Sequence, residues 1–74
     1  MDQQKIGRFL KALRKEKGLT QEALAERLGV TARSVSRWET GSNLPDLSLL
    51  IEIADLYEVE LREILDGERG SRRI

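Results

Sequence analysis

The stretch that most restricts how this chain can fold is Thr20–Gly41, TQEALAERLGVTARSVSRWETG. It predicts two short helices joined by a tight turn. Thr20 is placed to cap the first, its hydroxyl accepting a backbone N–H that has no partner inside the helix. Leu24, Ala25 and Leu28 then share one face, while Glu22, Glu26 and Arg27 occupy the others. Gly29 follows at once, where the chain must reverse with a positive φ that glycine adopts at least cost. Val30 is an apolar plug, and Thr31 is placed to cap the second helix.

On that second helix, at about 100° per residue, Val35 and Trp38 share a buried face. Arg33, Ser36, Arg37 and Thr40 cluster on the opposite one. Arg33 and Arg37 are one turn apart, so their guanidinium groups project side by side. A helix with an apolar back and a front of long donors and short hydroxyls suits a DNA major groove. Arginine bonds guanine O6 and N7 with both arms, Ser and Thr adapt to several base edges, and Ala32 can meet a thymine methyl. Two arginines and a serine are also an ordinary solvated face. The spacing of both helices around Gly29 is what favours nucleic acid.

Taken together, Gln21, Ala25, Gly29, Val35, Trp38, Glu39 and Gly41, with LRKEKGLTQ before them and LPDLSLLIEIADLYEV after, resemble the helix-turn-helix of phage repressor and Cro-type (XRE-type) regulators. The resemblance covers roughly residues 5 to 66. It implies an all-α, compact five-helix, lambda-repressor-like fold with the helix-turn-helix at helices 2 and 3. It also implies a homodimer on double-stranded DNA carrying a palindromic operator.

Seventy-four residues allow one domain, close to the lower limit for a self-sufficient core. The expected division is a DNA-binding domain over residues 1–67 and a mobile polar tail over 68–74. Cysteine and histidine are both absent from the sequence. Disulfides and zinc ribbons are therefore excluded, along with the commonest general base and metal ligand. No cofactor or metal is expected, nor an enzyme; acids such as Glu58 and Glu60 are better read as surface charge than as general acid and base. The longest apolar run, Leu49-Leu50-Ile51, cannot span a bilayer. No signal-peptide pattern precedes the first helix, so a cytoplasmic chain without membrane contact is the expectation. The net charge is zero, yet residues 1–41 carry nine Lys/Arg against five Asp/Glu and residues 42–74 four against eight. A basic front and an acidic back can thus coexist in a neutral chain.

In chain order, Gln3 to Lys17 reads as the first helix, with Ile6, Phe9, Leu10 and Leu13 at helical spacing and Gly18 ending it. Arg14 falls among these core-facing positions and needs a partner, because a lone buried guanidinium is costly. The resemblance implies that Arg14 and Glu39 form a structural ion pair; Arg14 is also assigned a contact with DNA phosphate. Gln21 opens the second helix and is assigned to phosphate, beside free N–H groups at the positive end of the helix dipole. Gly41 to Pro45 is a loop whose Ser42 and Asn43 are further phosphate donors, although relatives often carry lysine or arginine there. Asp46 caps a fourth helix, Leu47 to Tyr57, with Leu47, Leu50, Ile51, Ile53, Ala54 and Tyr57 read as core. A last short helix bears Leu61, Ile64 and Leu65, either as a dimer edge or as closure of the monomer core. Glu60 replaces the usual serine at its start and is a poorer cap. Arg69, Arg72 and Arg73 of the tail are within reach of phosphate.

The leading expectation is a sequence-specific transcriptional regulator, a repressor by preference, with residues 31–40 in the major groove. Thr31, Ala32, Arg33, Ser36, Arg37 and Thr40 would then touch bases. The alternative is a protein-interaction module on the same fold, such as an antitoxin or a module that silences a partner regulator, docking through the apolar edge near Leu61.

Overall fold

The computed structural model describes residues 1–70. Its helices are α1 (Gln3–Glu16), α2 (Gln21–Leu28), α3 (Ala32–Glu39), α4 (Leu47–Tyr57) and α5 (Leu61–Asp66), and there is no strand among the described residues. Side-chain caps set the starts of the first four. Asp2 accepts from the N–H groups of Gln4 and Lys5 at α1, and Asp46 from that of Leu49 at α4. The same bond, reinforced by the Ser48 hydroxyl, holds the Asp46 carboxyl below its ordinary pKa. At α5 the weak cap Glu60 is offset by Glu63, whose carboxylate reaches back to accept the Glu60 N–H at 2.8 Å.

One core unites the helices. Ile6, Leu10 and Leu13 of α1 meet Leu24 and Ala25 of α2, Val35 and Trp38 of α3, Leu50, Ile53, Ala54 and Tyr57 of α4, and Ile64 of α5. The expected core residues Leu10, Leu13, Leu24, Ala25, Val35, Trp38, Leu50, Ile53 and Ala54 are all buried; Leu28 is only half-buried at the end of α2. Two further assignments need correcting. Leu47 and Ile51 do not enter the core, being 62% and 47% exposed. They lie one turn apart on the side of α4 away from Leu50, Ile53 and Tyr57, and LSLLIEIADLY is too apolar all round for its period to separate the faces. Ile64, offered as a dimer edge, is fully buried and closes the monomer core, while Leu61 and Leu65 beside it are half-buried.

The residues after α5 turn back along α1. Lys5 pairs with Glu68 at 3.1 Å, Arg69 pairs with Glu16, and the Gly70 N–H donates to Glu63 at 2.7 Å. Arg72 and Arg73 lie outside the described residues. No helix among the described residues is long and apolar enough to cross a membrane.

One contact went unread in the sequence. Gly7 sits mid-helix in α1, and a Cβ there would lie 2.6 Å from the backbone oxygens of both Trp38 and Glu39. Its missing side chain lets α1 lie directly on the end of α3. Backbone cannot retract as a flexible side chain does, so the clash outweighs alanine's better helix propensity of about 1 kcal/mol. Gly7→Ala is expected to lower stability by about 1–3 kcal/mol in urea denaturation. The opposite sign is expected at Glu58, which ends α4 in the left-handed conformation at φ 59°. There Glu58→Gly relieves a backbone cost and should raise stability by about 0.5–1 kcal/mol.

Candidate nucleic-acid interface

The interface is built from the α2–turn–α3 unit. Thr20 Oγ1 accepts from the Ala23 N–H at 3.0 Å and Thr31 Oγ1 from the Ser34 N–H at 3.1 Å, so each helix begins at its threonine. Gly29 turns the chain between them at φ 72°, ψ 33°, and the Val30 N–H returns to the Ala25 carbonyl at 3.0 Å. Val30 packs against the core and sets the depth of the turn. With Val35 and Trp38 buried, α3 can present only its other side to solvent.

That side carries Arg33, Arg37 and Thr40, all exposed, with Ser36 and Ala32 half-buried at its margin. Neither Arg33 nor Arg37 makes an ion pair or hydrogen bond among the described residues, so both guanidinium groups are uncommitted. The threonines are less free. Thr31 is engaged with Ser34, and the Thr40 hydroxyl donates to the Arg37 carbonyl at 3.2 Å and lies 3.2 Å from the Ser42 hydroxyl. Ser42 and Asn43 are exposed just beyond α3, with the Ser42 N–H tied back to the Arg37 carbonyl at 2.9 Å.

Behind this face lies a buried ion pair. Arg14 Nε donates to Glu39 Oε2 at 2.7 Å, and Arg14 Nη2 to Oε1 at 3.0 Å, joining α1 to the last residue of α3. Nη1 donates to the Leu19 carbonyl at 2.8 Å. Both residues are 7% exposed. The phosphate contact assigned to Arg14 is therefore withdrawn, because its guanidinium is buried and spent on Glu39 and Leu19. Its bond to Glu39 holds its pKa above the ordinary arginine value. Gln21 joins the same pair, its Nε2 donating to Glu39 Oε1 at 3.1 Å. That bond spans eighteen residues of sequence and no local pattern announces it.

Tyr57 of α4 comes near both charges but bonds to neither. Its hydroxyl is buried without a hydrogen-bond partner among the described residues. Burial first, and then the Glu39 charge, push its pKa up to about 12, with Arg14 opposing.

Three outcomes follow from this layer. Glu39→Ala leaves a buried guanidinium unpaired and should cost about 3–5 kcal/mol in chemical denaturation. That is a large share of the roughly 5–15 kcal/mol that holds a domain together. The hydroxyl of Tyr57, the sole tyrosine, should ionise near pH 12 in the folded chain when followed by tyrosinate absorbance. The unfolded chain loses that proton first, near pH 10, so this group's contribution to stability falls as pH rises from 10 toward 12. Tyr57→Phe should be neutral or stabilising, since an unpaired buried hydroxyl costs about 1–3 kcal/mol.

Comparison with known proteins places this unit. Residues 10–64 match the family model described as helix-turn-helix. The uncharacterized HTH-type transcriptional regulator YqaE of Bacillus subtilis (strain 168) is 40% identical over 63 residues, 85% of this chain and 54% of YqaE. The HTH-type transcriptional activator BcrR of Enterococcus faecalis is 42% identical over 59 residues, 80% of this chain and 29% of BcrR. This chain thus spans about half the length of the first relative and less than a third of the second. Among solved structures, the restriction-modification controller protein C.AhdI from Aeromonas hydrophila aligns with a TM-score of 0.76 at 35% identity, over 85% of this chain and 96% of that one. With the match running from α1 into α5 and enclosing both capped helices around Gly29, the chain belongs to the helix-turn-helix family.

Proposed function

We propose that this chain binds double-stranded DNA at preferred sequences and regulates transcription, with α3 lying in the major groove. The observation that carries the reading is the pair of exposed guanidinium groups of Arg33 and Arg37, unpaired among the described residues, on the solvent side of a helix anchored by Val35 and Trp38. Arg33 and Arg37 read bases, guanine by preference. Ser36, Ala32, Thr31 and Thr40 add contacts at the margins, the two threonines only as far as their capping and loop bonds release them. Gln21, Ser42 and Asn43 fix register on phosphates, which position the protein without carrying sequence information.

Repression is the simplest output, since occupying an operator suffices to block a promoter. The relatives named as transcriptional regulators support a role in transcription control. A homodimer on a palindrome, its half-sites about 34–36 Å apart, follows from the usual docking of such units. With Ile64 buried, Leu61 and Leu65 are what remains of the proposed dimer edge. A cytoplasmic location belongs to the same reading.

A second reading, docking to another protein on the same scaffold, is favoured by Leu47 and Ile51, two neighbouring apolar side chains on the open face of α4. Mobility shifts on genomic fragments at low and moderate salt separate the two. Contacts to about 6–10 phosphates would cost about 10³–10⁵ in affinity between 50 and 200 mM salt. Absence of any salt-sensitive shift would favour docking. After selection from a random library, Arg33→Ala should lose about 1–3 kcal/mol on the selected site and relax base choice at one position, whereas Gln21→Ala weakens all sequences alike. Equal losses on selected and random DNA for Arg33→Ala would count against base reading.

A further inference from the structure

The bond from Gln21 to Glu39 joins the first residue of α2 to the last residue of α3. A glutamine amide has a donor end and an acceptor end, and here the partner settles which end points inward. Glu39 Oε1 already accepts from Arg14 Nη2 at 3.0 Å, and a carboxylate oxygen can face only the amide nitrogen. One N–H of Gln21 is thereby consumed. The second N–H and the carbonyl remain, on a side chain that is half-buried at the start of α2. The Thr20 cap accepts only from Ala23, so neighbouring first-turn N–H groups are left facing outward beside that amide.

We propose that Glu39 is a positioning residue for DNA contact: its carboxylate orients the Gln21 amide so that one N–H is aimed at the phosphate backbone. This rests on the DNA-binding reading above. The consequence is a rigid link between the residue that grips the backbone and the helix that reads bases. Arg14 sets the Glu39 carboxylate from behind, so register on the duplex is held by the same buried pair that joins α1 to α3. An uncharged Glu39→Gln side chain has one oxygen for three donors, Arg14 Nε, Arg14 Nη2 and Gln21 Nε2. Gln21 is the donor held least from other sides, and it is the one released.

The test is a double-substitution cycle read by fluorescence anisotropy. The probe is a short duplex of mixed sequence, because a phosphate contact does not depend on the operator. Wild type, Gln21→Ala, Glu39→Gln and the double variant are compared at low salt and well below each melting temperature, with folding checked by circular dichroism. Gln21→Ala should weaken binding about two- to tenfold, the scale of one hydrogen bond. Glu39→Gln should weaken it comparably in the wild-type background and by less than about twofold once residue 21 is alanine. A purely structural Glu39 lowers melting temperature but shows no such dependence on residue 21. Equal fold-losses in both backgrounds, or no effect of Gln21→Ala, would overturn the proposal while leaving DNA binding intact. A wild-type protein without salt-sensitive binding would overturn both. Should Glu39→Gln fail to fold, the side-chain amide resonances of Gln21 in the unsubstituted protein decide. Protons resolved from those of exposed Gln3 and Gln4, and shifted on adding duplex, support the proposal; coincident or unmoved ones sink it.

Discussion

The ion pair between Arg14 and Glu39 is the constraint on which the rest of this structure depends. It is buried, charged and long-range in sequence, three features that make it costly unless every partner is in place. The guanidinium meets both carboxylate oxygens and the Leu19 carbonyl, so its donors are used rather than merely surrounded. A hydrophobic pair would tolerate sliding between helices. A two-pronged contact at 2.7 and 3.0 Å does not, and it therefore fixes how α3 is set against α1.

The other close contacts serve that alignment. Gly7 brings α1 against the carbonyls of Trp38 and Glu39, at the place where the ion pair needs the two helices near each other. Trp38 and Val35 fill the space behind α3, and the Gly29 turn with Val30 sets its angle to α2. The arginines of α3 face outward as a result of this packing, because a helix whose back is held at several points has little freedom to roll. Tyr57 completes the layer from α4 without bonding to it, an apolar lid carrying one unpaired hydroxyl. Its ring supplies burial and its oxygen costs some of the gain.

Much of this was legible in the chain. Thr20, Thr31 and Asp46 are strong capping residues before periodic segments, and each caps where expected. Gly29, Val35 and Trp38 fell in register with the turn and the buried face, and Glu39 was the natural partner for a core-facing Arg14. Periodicity carried no information in two of the helices. In α4, apolar residues on every side hid the exposure of Leu47 and Ile51. In α5, three apolar residues in one turn could not be divided between core and surface, and only packing buried Ile64. A phosphate role for Arg14 failed because packing buries its guanidinium and commits three of its five N–H groups to Glu39 and Leu19.

Local sequence alone determined the helices, their caps, the reversal at Gly29 and which side of α3 would be polar. Those features arise from backbone conformational preference and from periods of a few residues, so they need no knowledge of distant partners. Tertiary structure decided that Gly7 would lie under two carbonyls, that Gln21 would turn its amide nitrogen toward Glu39, and that Tyr57 would stay unpaired beside two charges. Each of these depends on where helices far apart in the chain come to rest, and that position is set by the packing of the whole core.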